Sequence, residues 1–152
     1  MYQALLFLHS ITRWLVLLSL VYAIYKAAKG LIQQTAFTKS DNATRHITAT
    51  IAHVQLVIGI TLYFKSPLIQ YFWRHTRMAV REMDLLFFSL IHMLMMITAI
   101  TVITIGSALA KRKPTDRAKY QTMLVWFGIA MLIIFLAIPW PFSPLAHRPY
   151  LR

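Results

Sequence analysis

Four apolar stretches, at about residues 4–28, 47–64, 85–110 and 122–138, govern what this chain can fold into. Each is long enough to cross a hydrocarbon layer of about 30 Å at about 1.5 Å rise per residue. A helix of a soluble bundle carries a charged stripe opposite its apolar one. These stretches carry almost no charge on any face. The expected fold is therefore all-α, a single domain over residues 1–152 built as a four-helix transmembrane bundle with short links. Hydrophobic residues make up 59% of the chain, and the mean hydropathy of +0.60 is high for a soluble domain of this length. The first stretch has no basic segment before it and is too long for the core of a secretion signal, so it reads as a membrane helix and not as a cleaved leader.

The formal charge is +12, from 16 Lys and Arg against 4 Asp and Glu. A chain this basic invites a nucleic-acid reading. The basic residues lie in the links between apolar stretches, where lipid headgroups attract them, so the expected partner is the bilayer and not nucleic acid. Lys26, Lys29, Lys39, Arg45, Lys111, Arg112, Lys113, Arg117 and Lys119 fall at one end of the expected bundle. Lys65, Arg74, Arg77, Arg81, Arg148 and Arg152 fall at the other. That is nine against six, and the positive-inside rule then predicts the first and third links in the cytoplasm and both termini outside. Asp41 or Asn42 is expected to cap the second helix, Pro67 to stop it, and Pro114 with Asp116 to start the last. Tyr71, Phe72 and Trp73 suit a segment lying in the membrane interface. The tail from Pro139, with four prolines, is expected to be irregular.

One basic residue remains, Arg13, inside the first apolar stretch. It stands one helical turn from His9 in "LHSITRW". His53 and His92 lie in the second and third stretches, and the fourth has no histidine. Counting from the helix ends puts His9, His53 and His92 roughly 12, 16 and 12 Å deep, so all three are expected at one level. Three lines of residues are expected to face the bundle interior: Leu6, His9, Arg13, Val16 and Leu20; His46, Thr50, His53, Val57 and Ile60; and Ser89, His92, Met96, Ala99, Ile103 and Gly106. His46, His75 and His147 are expected near the interfaces. Met93, Met95 and Met96 read as packing.

Two neutral imidazoles from different helices can take both axial positions of a haem b iron, and four-helix bundles hold cofactors this way. His53 and His92 are the first choice of axial pair, since a short link makes their helices antiparallel neighbours; His9 is the alternative ligand. Arg13 needs an anion or several carbonyls, and a haem propionate or a quinone oxygen would serve. The expected role is a haem b protein that passes electrons, with a quinone or with subunits of a membrane complex. A second reading is a cofactor-free accessory or assembly subunit whose histidines only bridge helices. A third is a membrane protein holding zinc or copper. The chain has no cysteine, which removes disulfides, iron–sulfur clusters and covalent haem attachment. No Ser–His–Asp pattern, HExxH or phosphate-binding glycine loop is present, so no catalytic residue is assigned.

The stretches "LHSITRWLVLL", "FTKSDNATRHITATIAHVQLVIGITLYFKSPL", "HMLMMITAITVITIGSALAKRKPTDRAKYQT" and "AIPWPF" cover most of the chain. Through them the sequence resembles small four-helix bacterial inner-membrane proteins known as cytochrome b or cytochrome b-like. The resemblance implies a multi-pass protein of the bacterial inner membrane, with His9, Arg13, His53 and His92 as its marked polar positions. Relatives often carry a Glu directly before the third histidine. This chain has Ile91 there, which puts any proton transfer by that Glu in doubt.

Overall fold

The structure is a computed structural model, and residues 1–141 are described. The expected His147, Arg148 and Arg152, and the tail beyond Pro141, lie outside the described residues. Among the described residues, four helices are long and apolar enough to cross a membrane. Helix α1 spans Tyr2–Gln33 and α2 spans Lys39–Lys65. Three short helices follow, α3 (Pro67–Arg74), α4 (Thr76–Ala79) and α5 (Met83–Leu86). A π-helical turn, Phe87–Ile91, runs from α5 into α6 (His92–Arg112), and α7 spans Asp116–Ala137. Going round the bundle the order is α1, α2, α6, α7, with α1 and α6 across the diagonal. The chain is a four-span membrane protein folded as one all-α bundle.

The packing is that of a protein in lipid. The interior is lined with small residues, among them Ala23, Ala27, Ala52, Ala99, Ala110 and Ala130, all at 0% exposure. The outside carries large apolar side chains such as Leu18, Val57, Leu132 and Phe135. Small residues let helix backbones approach where no hydrophobic drive separates inside from outside. At Gly106 a Cβ would overlap Trp126, and at Gly30 it would overlap the ring of Tyr120. Both positions need glycine because the neighbouring side chain already fills that space.

The helix ends follow local chemistry, with one correction. Helix α2 starts at Lys39, eight residues before the apolar stretch begins. Its N-cap is Thr38, not Asp41 or Asn42. The Thr38 hydroxyl accepts from the Asp41 N–H at 3.3 Å, and the Asp41 carboxylate accepts from the Thr38 N–H at 2.8 Å. This reciprocal box satisfies two backbone donors and extends the helix through polar sequence. Thr115 caps α7 by accepting from the Ala118 N–H at 3.2 Å. Pro67 opens α3, where its missing N–H costs nothing. Helix α3 buries Ile69 and Phe72 and leaves Tyr71 and Trp73 exposed, as an interfacial helix should. Trp73 Nε1 donates to the Tyr63 hydroxyl at 3.1 Å, and that hydroxyl donates to Ser89 O at 3.0 Å, tying α3 to α2 and the π turn.

The inward faces of α1 and α6 follow the expected lines: Val16 and Leu20 are buried on α1, and Ser89, Ala99, Ile103 and Gly106 near and along α6. The face of α2 does not. His46, Thr50, His53, Val57 and Ile60 all point outward. The residues turned inward are Arg45, Thr48, Ala49, Ala52 and Gln55. A line shifted by one or two residues on a helix turns by about 100° or 200°, enough to exchange inside for outside. The small Ala49 and Ala52 decide the matter, since only that face lets α1 come close.

Candidate functional site

At the end of the bundle beside α3, residues of α1, α2, α6 and α7 meet in one polar layer. His9 on α1 and His92 on α6 face each other across the diagonal, ring centroids 6.4 Å apart and planes at 68°. His92 Nδ1 lies 2.8 Å from Ala137 O, at the last residue of α7. A carbonyl only accepts, so Nδ1 carries the proton and Nε2 keeps its lone pair. The π turn stands immediately before His92. Such single π turns interrupt helices mostly at functional positions, because the extra residue re-aims the side chain that follows. Phe87 and Phe88 flank the same imidazole, with centroids 5.9 and 6.4 Å away.

His9 is held by a residue that sequence reasoning passed over. Gln55 Nε2 donates to His9 O at 3.0 Å and stands 3.3 and 3.4 Å from the two His9 ring nitrogens. Its Oε1 accepts from the Thr12 hydroxyl. Gln55 is buried, and an amide inside an apolar stretch is as costly to leave unsatisfied as an imidazole. That cost was the available signal. Gly59, one turn further, leaves room for the ring: a Cβ there would stand 3.3 Å from His9 Cε1. Arg13 lies one turn along α1 from His9, with its guanidinium carbon 5.6 Å from the Trp14 ring centroid. Trp14 packs edge-on against Trp140 at 6.0 Å.

His53 is elsewhere. Its Nε2 is 3.0 Å from the Thr104 hydroxyl, on the outer groove between α2 and α6. Thr104 is twelve residues beyond His92, or about 18 Å along α6. His9 and His92 meet and His53 does not join them, because α2 turns Gln55 and not His53 toward that layer. His53 and His92 are too far apart to hold one iron between them. His9 and His92 are in contact.

His9 and His92 are near neighbours at 6.4 Å, and the Nε2 lone pair of His92 is the kind of donor that a metal-binding imidazole uses. Among the described residues, no three His, Asp or Glu side chains gather as a zinc or copper site would require.

Set beside known proteins, the chain matches no family model, no curated protein and no solved structure.

Proposed function

We propose that this is a haem b-binding membrane protein of the small cytochrome b-like kind, carrying electrons to or from a quinone or a partner subunit. The observation that carries this reading is the His9–His92 pair, in the bundle core, with His92 fixed in the tautomer that leaves Nε2 open. A backbone carbonyl on the distal nitrogen is the usual support of a ligating histidine, because it sets ring orientation and raises basicity. Haem b, when bound, supplies a one-electron couple. His9 and His92 would hold the iron, and Arg13 would supply the positive charge for a propionate or a quinone oxygen. Protein purified in mild detergent from haem-replete cells should show a low-spin b-type reduced-minus-oxidised spectrum. His9→Ala and His92→Ala should each abolish it and His53→Ala should keep it. A colourless preparation, or loss of the spectrum in His53→Ala, overturns the assignment.

The Gln55 amide favours a second reading. It already engages His9, and Ala137 already engages His92, so both imidazoles can serve as bridges between helices in a cofactor-free accessory subunit. Under that reading the protein is colourless, and His9→Ala costs stability alone.

The resemblance to small bacterial inner-membrane proteins supports that location, and the excess of basic residues at the α1–α2 and α6–α7 links supports those links in the cytoplasm. Single cysteines at the exposed Gln33 and Lys113 should resist a membrane-impermeant thiol reagent in spheroplasts, and one at the exposed Gln70 should react. The reverse pattern inverts the orientation.

A further inference from the structure

The end of the bundle opposite the histidine pair carries a second polar feature. A groove of about 500 Å³ opens between α2 and α6, the two neighbouring helices that touch least. Arg45, His46, His53, Thr104, Lys111 and Arg112 line it. Arg45 is 5% exposed, and every hydrogen bond that holds it goes to a neutral acceptor. Its Nη1 donates to Ser107 O at 2.9 Å and to the Ser107 hydroxyl, and its Nε and Nη2 donate to Asn42 Oδ1 at 3.3 and 2.8 Å. The guanidinium is thus well hydrogen-bonded with its charge unanswered.

The chain has little to answer it with. Of its 4 carboxylates, Asp41 pairs with Lys26 at 2.8 Å and Asp116 with Lys119 at 3.1 Å. Glu82 and Asp84 lie at the far end, beyond α3. Among the described residues no ion pair reaches Arg45, Lys111 or Arg112. The carbonyl end of α6 offers about half a negative charge against three positive ones. A buried charge is retained at a cost unless a counter-charge meets it. Here that counter-charge must come from outside the chain.

We propose that the groove binds the phosphodiester headgroup of an anionic phospholipid. Its shape favours a lipid over a free ion. Lys111 and Arg112 sit at the mouth, the last two residues of α6. His53 is eight residues along α2 from Arg45, about 12 Å deeper. There, with Thr104 and Thr50, it carries the polar lining of the groove inward from the mouth. The groove walls, Ala49 and Ala108, are small and leave the way to the acyl region open. A free phosphate would use only the mouth.

The test needs no cofactor and is independent of the haem reading. Delipidated protein in nonionic detergent is titrated with phosphatidylglycerol, phosphatidylcholine or inorganic phosphate, followed by native mass spectrometry and thermal unfolding. Phosphatidylglycerol should bind and raise the midpoint; phosphatidylcholine should bind at least tenfold more weakly. Each basic residue near a membrane surface is worth about fivefold in binding, so Lys111→Gln with Arg112→Gln should weaken phosphatidylglycerol about 25-fold. Both residues are exposed, so this double variant should fold. Arg45→Gln should weaken it further. Unchanged affinity in the double variant overturns the site, and equal stabilisation by inorganic phosphate overturns the lipid.

Discussion

The layer around Asp41 and the layer around His9 are both polar clusters inside an apolar bundle, and they are built in opposite ways. At the Asp41 end one carboxylate organises everything. It pairs with Lys26 at 2.8 Å, accepts from the Tyr120 hydroxyl at 2.8 Å, and closes the Thr38 capping box. Tyr120 then fills the space that Gly30 leaves, its hydroxyl oxygen 3.1 Å from Ala36 O. Every charge in that knot is met by another within the chain, and the knot joins α1, α2 and α7. The His9 layer is built from polar groups of another kind, beside Arg13. Imidazoles, an amide and a hydroxyl meet backbone carbonyls, and one imidazole nitrogen keeps its lone pair. The first layer is what a fold needs in order to hold its links. The second leaves His92 Nε2 with bonding capacity beyond its contact to Ala137 O.

The comparison breaks most easily at Asp41. Asp41→Ala strands Lys26 and removes the box in one step. Losing a part-buried charge-assisted hydrogen bond together with a capping box costs about 2–3 kcal/mol, and unfolding in a denaturing-detergent titration should show a loss of that order. The spectrum of any bound haem should be unchanged in the protein that remains folded, because the knot is at the other end of the bundle. A loss under about 1 kcal/mol would put Asp41 with ordinary surface pairs and undo the contrast.

Much of this was legible in the sequence. Run length and the absence of charge fix four spans, and the buried faces of α1 and α6 follow the lines drawn through His9 and through His92, each with small or polar residues along it. Helix α2 misled because it has two such lines. One carries His46, Thr50 and His53; the other carries Arg45, Thr48, Ala52 and Gln55. Weighting histidine as the functional residue selects the first. Packing selects the second, since the alanines must meet α1. The π turn at Phe87–Ile91 was illegible, because nothing in "FFSLI" departs from an α-helical pattern. The bond from His92 to Ala137 O was hidden for a different reason: its acceptor is a backbone atom at a helix end, which no side-chain motif announces.

The smallest and sharpest test lies at Gln55. Gln55→Leu keeps the side chain's bulk and removes its donor and acceptor. The His9 carbonyl lies inside α1 and still has the helix's own hydrogen bonding, and the Thr12 hydroxyl can turn its proton to Leu8 O, 2.8 Å away. Neither is left orphaned. Hydrogen bonds between membrane helices are worth about 0.6 kcal/mol on average and about 1.7 at most, so the stability loss should be about 1 kcal/mol. What separates the two readings is the second readout. If His9 only bridges helices, Gln55→Leu lowers the unfolding midpoint and changes nothing else. If His9 ligates haem, the same change frees the imidazole from its amide partner, and the reduced b-type band should shift or broaden while haem content stays near that of the unchanged protein. A stability loss with an unmoved band in a haem-loaded preparation would show that Gln55 does not orient His9, and the His9 layer would then share the purely structural logic of the Asp41 layer.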